Sequence, residues 1–379
     1  MQNIIIDKKD DIVMKLIHYF VIEENYKPVV VNGLQNEIWL ENMENEIKII
    51  RLNINYIHNN EQLKVDLRKV NAVRKSIKKK TYSFKMNLLN ILIDLGDSVN
   101  LKDLDINEIT TIKVSKISDI KKSDFVSEKF PNLKDKLNIK KSNMNEMFKM
   151  TEELNKKTVN DDKKMAKLFK KESPYITIFL ILLNVLIYIF MLSPNIYSSI
   201  IGNFANHYLE VQSGEFYRLL TAMFLHANSI HLFFNMYVLY TIGPEIEKYY
   251  GKFKFFIIYI VSGIFGSLFS CLFTDAYSIG ASGAIFGLFG SLLYFGYNYR
   301  ATLDGYLRGQ IIPLIFINIL IGLIVPGIDL AAHIGGLIGG TFISVALGLK
   351  RQNKSNRNIH GILMTLIILA SMIYMLMIK

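Results

Sequence analysis

The stretch FFIIYIVSGIFGSLFSCLF, running from Phe255 to Phe273, carries no charged side chain over its 19 residues. A bilayer core is crossed by a helix of ~20 mainly apolar residues, and this run meets that requirement. The same texture recurs on both sides of it. Further apolar segments cover 175–193, 230–247, 282–299, 310–326, 330–349 and 360–378. The reading is a polytopic α-helical membrane protein with seven spans. Segment 230–247 fits least well, because it holds His231 and Asn235 and ends at Glu245 and Glu247.

The first 173 residues differ in kind. They are rich in Lys, Asn, Asp and Glu, so the net charge of +11 is spread rather than gathered in one basic patch. Ile12, Val13, Leu16, Ile17, Phe20 and Val21 recur at helical spacing. Segments 27–31 and 37–40 read as strands around a turn at Asn32-Gly33, and 46–54 as another strand. Segment 62–73 reads as an amphipathic helix with Leu63, Leu67, Val70 and Val73 on one side, while 82–95 fits either strand or helix. The expectation is a small soluble α/β domain over 1–100. A lysine-rich helical or linker segment over 101–173 follows, ending in Lys163, Lys164, Lys167, Lys170 and Lys171.

Charges at Asp7, Lys8, Lys9, Asp10 and Asp11 exclude a signal-peptide apolar core over 1–24. The amino-terminal half is therefore expected in the cytoplasm. The single cysteine, Cys271, excludes an intrachain disulfide and a cysteine-based metal site. The lysines are interleaved with acids and no base-reading motif occurs, so nucleic acid is not an expected partner.

With the amino terminus inside, the inside loops hold Lys248, Lys252, Lys254, Arg300, Arg308, Lys350, Arg351, Lys354 and Arg357. The outside loops hold only Arg218, before Lys379. This asymmetry agrees with the excess of basic residues found in cytoplasmic loops. It puts the Lys163–Lys171 cluster at the inner leaflet, where anionic lipid attracts it.

Polar groups at membrane depth are costly and mark function by default. Ser282 lies in Gly280-Ala281-Ser282-Gly283, where an outside loop enters the fourth span. A serine at a helix amino terminus sits beside unpaired N–H groups that can stabilise an oxyanion. Alone, it reads more readily as a serine bonded back to its own helix or a small residue at a helix contact. His333 lies in Ala332-His333-Ile334-Gly335-Gly336, with Gly339 and Gly340 one turn on. The fourth and sixth spans both run outside to inside, which puts Ser282 and His333 at one shallow depth. Gly283 and Gly287 on one span, and Gly335, Gly336, Gly339 and Gly340 on the other, make small faces that permit close backbone approach. A lone membrane histidine also fits an interior hydrogen bonder or a proton relay. His231 and Asn235 are four apart and share a helix face, as oxyanion donors or as residues lining a wet cavity. His226 reads as a loop or interface residue.

These pieces together resemble the rhomboid family across 174–349. Tyr217-Arg218, His226, His231-x-x-x-Asn235-Met236, Glu247 with Gly251, Gly280-Ala281-Ser282-Gly283 and Ala332-His333 follow in family order. The resemblance implies six core helices, with 350–379 supplying an inside loop and an extra seventh span, as in bacterial members with a cytosolic domain. It implies a Ser–His dyad of Ser282 and His333 and an oxyanion site from His231, Asn235 and the Ser282 N–H. It further implies a membrane-embedded outside loop anchored by Arg218. His226, Gly280, Gly283, Phe286 and Gly336 take supporting places. Two residues depart from the pattern. Tyr217 stands where the family often has Trp, and Phe286 stands where members carry Tyr.

The function implied is intramembrane serine endopeptidase activity in the bacterial plasma membrane, with the active site toward the outer face. Its partners are transmembrane protein substrates, the lipid bilayer and a cytosolic partner or adaptor met by residues 1–173. No metal or cofactor is needed. A non-catalytic rhomboid-like binder and a proton-coupled transporter are the rival readings. A metal-dependent intramembrane protease is disfavoured, because no His-Glu-x-x-His sequence occurs.

Overall fold

The computed structural model describes residues 7–31, 33, 35–96, 98–101, 106–137, 140–170, 172–299, 307–325, 327–350 and 356–379. Asn32 of the expected turn, the cations Lys171, Arg300, Arg351 and Lys354, and the side chain of Arg308 lie outside that description. The chain divides into two compact units, Met1–Lys167 and Leu168–Lys379.

The first unit is built on a five-stranded sheet of order β1 (Lys27–Val29), β2 (Glu37–Glu41), β3 (Ile47–Asn53), β4 (Asn87–Leu92) and β5 (Ile109–Lys113). β1, β2 and β3 pair antiparallel, and β3, β4 and β5 pair parallel. Its helices are α1 (Lys8–His18), α2 (Asn60–Lys80), α3 (Ile117–Lys122), α4 (Asp124–Lys129), α5 (Leu133–Lys136) and α6 (Met144–Phe169). Side chains alternate between strand faces. Ile49 and Leu88 therefore pack with Val70 of α2, while Ile50, Leu89 and Ile91 pack with Leu16, Phe20, Ile120 and Phe130 on the other side.

Two readings sharpen here. Segment 82–95 contains strand β4, which is buried on both faces, so its apolar run shows no helical or alternating period. Within 101–173, expected as helix or linker, lies strand β5. Its sequence ITTIK buries only Ile109 fully, a signal too short to stand out beside the lysines.

The second unit is helical: α7 (Tyr175–Phe190), α8 (Pro194–Phe204), α9 (Tyr208–Gln212), α10 (Arg218–Thr221), α11 (Ser229–Tyr250), α12 (Lys252–Phe273), α13 (Ser282–Asn298), α14 (Ile312–Ile324), α15 (Leu330–Leu347) and α16 (Asn356–Ile378). Among the described residues α12, α15 and α16 are long and apolar enough to cross a membrane, and α7 and Gly309–Ile324 are shorter apolar helices. The Glu247 carboxylate accepts from Ile176 N at 3.1 Å and Thr177 N at 2.9 Å, satisfying the open amino terminus of α7. Lys254 Nζ donates to Leu347 O at 2.7 Å and Gly348 O at 2.9 Å, closing the carboxyl end of α15.

Glycine brings α12, α13 and α15 together. A Cβ on Gly336 would run into the Gly283 carbonyl oxygen, and one on Gly340 into the Gly287 carbonyl oxygen. On α13, a Cβ at Gly290 would sit 2.5 Å from Leu337 O. Backbones this close admit a larger residue only if the helices move apart, the small-residue contact by which helices associate in lipid.

Candidate active site

Ser282 is the first residue of α13, and the loop before it is held at several points. Asn206 N donates to Ser278 O at 3.1 Å, and Ser278 N donates to Asn206 O at 2.8 Å. Gly280 N donates to Ala222 O at 3.0 Å. Gly280 has φ +123°, a conformation that L side chains rarely adopt. A Cβ there would lie 2.7 Å from His231 Cε1 and 3.8 Å from Asn235 Nδ2. The missing side chain is what lets the loop pass against His231 and Asn235.

Those two residues stand on the first turns of α11, whose amino terminus is capped by Asn228 accepting from His231 N at 2.9 Å. Asn235 is buried, and its Nδ2 donates to His231 O at 3.1 Å, leaving a second N–H for other use. His226 is fully buried with its ring 5.1 Å from that of His231, and neither of its ring nitrogens has a protein hydrogen-bond partner.

His333 is 6% exposed, and its ring stacks on Phe286 with centroids 4.1 Å apart and planes at 13°. Phe286 is four residues after Ser282 and so shares its helix face. The imidazole is thereby seated one turn below the serine, across the Gly283–Gly336 contact. Among the described residues no hydrogen bond joins Ser282 to His333. Hydrogen bonds between catalytic groups are often long without substrate.

Arg218 is 3% exposed and ties together the loop between α7 and α11. Its Nη1 donates to Ala205 O at 3.0 Å, its Nη2 to Gly202 O at 2.9 Å and its Nε to Glu215 Oε2 at 2.6 Å. Tyr217 Oη donates to Asn203 O at 3.1 Å, joining the same segment.

Sequence reading missed Asp329 and Gly322. Asp329 caps α15 by accepting from Ala332 N at 2.9 Å. A Cβ at Gly322 would lie 3.4 Å from His333 Nδ1. An Asp just before an apolar helical run is a recognisable amino-terminal cap signal. Gly322 carries no local signal, because its partner is remote in sequence.

Residues 213–350, which include Arg218, His226, His231, Asn235, Ser282 and His333, match the family described as Rhomboid domain. The chain is 35% identical over 213 residues to Rhomboid protease GluP of Bacillus subtilis (strain 168), covering 55% of this chain and 42% of that protein. It is 33% identical over 233 residues to Rhomboid protease AarA of Providencia stuartii, covering 53% of this chain and 82% of that protein. Putative rhomboid protease YdcA of Bacillus subtilis (strain 168) is 36% identical over 149 residues, covering 38% of this chain and 74% of that protein. The chain spans less than half the length of several curated relatives that it matches. With a recognised domain over the site and most of two relatives covered, the chain is a member of the rhomboid family.

Proposed function

We propose that the chain is an intramembrane serine endopeptidase acting through a Ser282–His333 dyad. His333 takes the proton of the Ser282 hydroxyl as its oxygen attacks a peptide carbonyl carbon. The oxyanion is received by the Ser282 backbone N–H, the free N–H of Asn235 and the ring N–H of His231. Protonated His333 then gives its proton to the departing amine, and water hydrolyses the acyl-enzyme. The observation that carries this reading is the seating of the His333 ring on Phe286, one helical turn from Ser282. The loop at Gly280, lying against His231 and Asn235, supports the oxyanion assignment. The names of GluP and AarA as rhomboid proteases support the reaction class.

The same proposal includes seven spans, a cytoplasmic amino terminus, a site toward the outer face of the bacterial plasma membrane, and a cytosolic α/β domain that meets a partner. Substrates are transmembrane proteins whose helices unwind locally, since a helical peptide bond is shielded from attack. The test is cleavage of a model transmembrane substrate in proteoliposomes. Wild type cleaves, and Ser282→Ala does not. Cleavage by Ser282→Ala at the wild-type rate would falsify the dyad.

A further inference from the structure

His333 Nδ1 is buried and has no protein partner. Four residues earlier, Asp329 Oδ2 is also buried and also has no protein partner. Asp329 uses its other oxygen, Oδ1, to cap α15. Helical side chains lean back toward the amino terminus, over the residue one turn before. The imidazole of His333 therefore leans toward Asp329. The other neighbours do not compete for its Nδ1. Phe286 of α13 covers one ring face with carbon, and Gly322 of α14 brings no side chain to Nδ1. The ionisable groups that act electrostatically on His333 are Asp329 and His231.

We propose that Asp329 is a positioning residue for the base, with its Oδ2 accepting the Nδ1 proton of His333 through one water. This rests on the dyad reading above. Of the two neutral tautomers, only the one protonated at Nδ1 leaves Nε2 free to accept the serine proton. A carboxylate facing Nδ1 selects that tautomer and favours the imidazolium that forms during attack. The capping bond fixes the carboxylate, so one side chain both starts the helix and orients the base it carries.

The test uses the full chain in proteoliposomes with a model transmembrane substrate, and compares Asp329→Asn and Asp329→Ser with wild type and Ser282→Ala. Asn and Ser both retain capping ability, so α15 still starts at the same place. Neither restores the carboxylate. We expect both variants to melt near wild type. Their kcat should fall at least about tenfold with KM little changed, less than the ~10⁴ lost with a directly bonded orienting carboxylate. The acid limb of the pH–rate profile should move to lower pH, because the carboxylate that favours the imidazolium is gone. A cap-only role predicts near-wild-type melting and cleavage with an unmoved acid limb, since both replacements still cap α15. An unmoved acid limb in both variants overturns the proposal. Cleavage by Ser282→Ala at the wild-type rate overturns the dyad instead, so the two failures are separable.

Discussion

The two units treat buried polar groups in opposite ways. In the first, Arg51 is fully buried and each of its guanidinium nitrogens is partnered. Its Nε donates to Glu37 at 2.8 Å, Nη1 to Asp66 at 2.7 Å and Asn90 at 3.0 Å, and Nη2 to Asp66 at 2.6 Å. In the second, Asn184, His226, Tyr259, Asp329 and His333 each hold a buried nitrogen or oxygen with no protein partner, and among the described residues the first unit has none. His226, Asp329 and His333 belong to the candidate site or adjoin it. A buried polar group held for structure is saturated, because leaving it unpaired costs free energy without return. A group held for chemistry keeps an open valence for a substrate, a proton or a water.

The largest test of that contrast is at the site. Ser282→Ala and His333→Ala should each lower cleavage of a transmembrane substrate by on the order of 10³-fold or more, with melting temperature little changed. A comparable fall in melting temperature would make these residues structural and erase the difference between the units.

Next in size is the first unit. Arg51→Ala should destabilise it by about 3–5 kcal/mol, because Glu37 and Asp66 lose their countercharge. Limited proteolysis of the full chain reads this as faster cleavage within 1–167. The same network sets a pH limit. Burial alone would raise the Glu37 carboxyl, but hydrogen bonds from Arg51 and Lys69 outweigh it and hold it at about 2. A depressed carboxylate contributes stability that is complete above its unfolded value of about 4.3. That contribution is lost as pH falls from there toward 2. Circular dichroism between pH 5 and 2 should follow this loss, and a flat response would remove Glu37 from the account.

Smaller is the effect of Gly336→Ala. The new methyl meets the Gly283 carbonyl oxygen and pushes α13 from α15. Overpacking of this kind costs about 1–3 kcal/mol. Labelling of Ser282 by a fluorophosphonate should fall more than the melting temperature does. Equal labelling would mean that the helix contact does not set the distance from serine to histidine.

Legibility in the sequence followed the range of the interaction. Long apolar runs such as 255–273 declare themselves, since length and apolarity alone mark a bilayer span and no particular neighbour is needed to see it. Ser282, His333, His231 and Asn235 stood out for the converse reason, as polar groups where polar groups are expensive. Strand β5 stayed hidden because its five residues gain their burial from β4, a partner that local pattern does not reveal. The seating of His333 on Phe286 was legible only in outline, through the glycine faces, because ring stacking depends on rotamers and on the crossing of two helices.

The paired backbone bonds between Asn206 and Ser278, with Gly280 fixed to Ala222, have a mechanical meaning. Asn206 lies just beyond the carbonyls that Arg218 grips, and Ser278 lies four residues before Ser282. Very little slack separates the Arg218-bound loop from Ser282. The Arg218-bound loop and the start of α13 are thus one mechanical piece, in which strain placed on either end reaches the other through main-chain bonds.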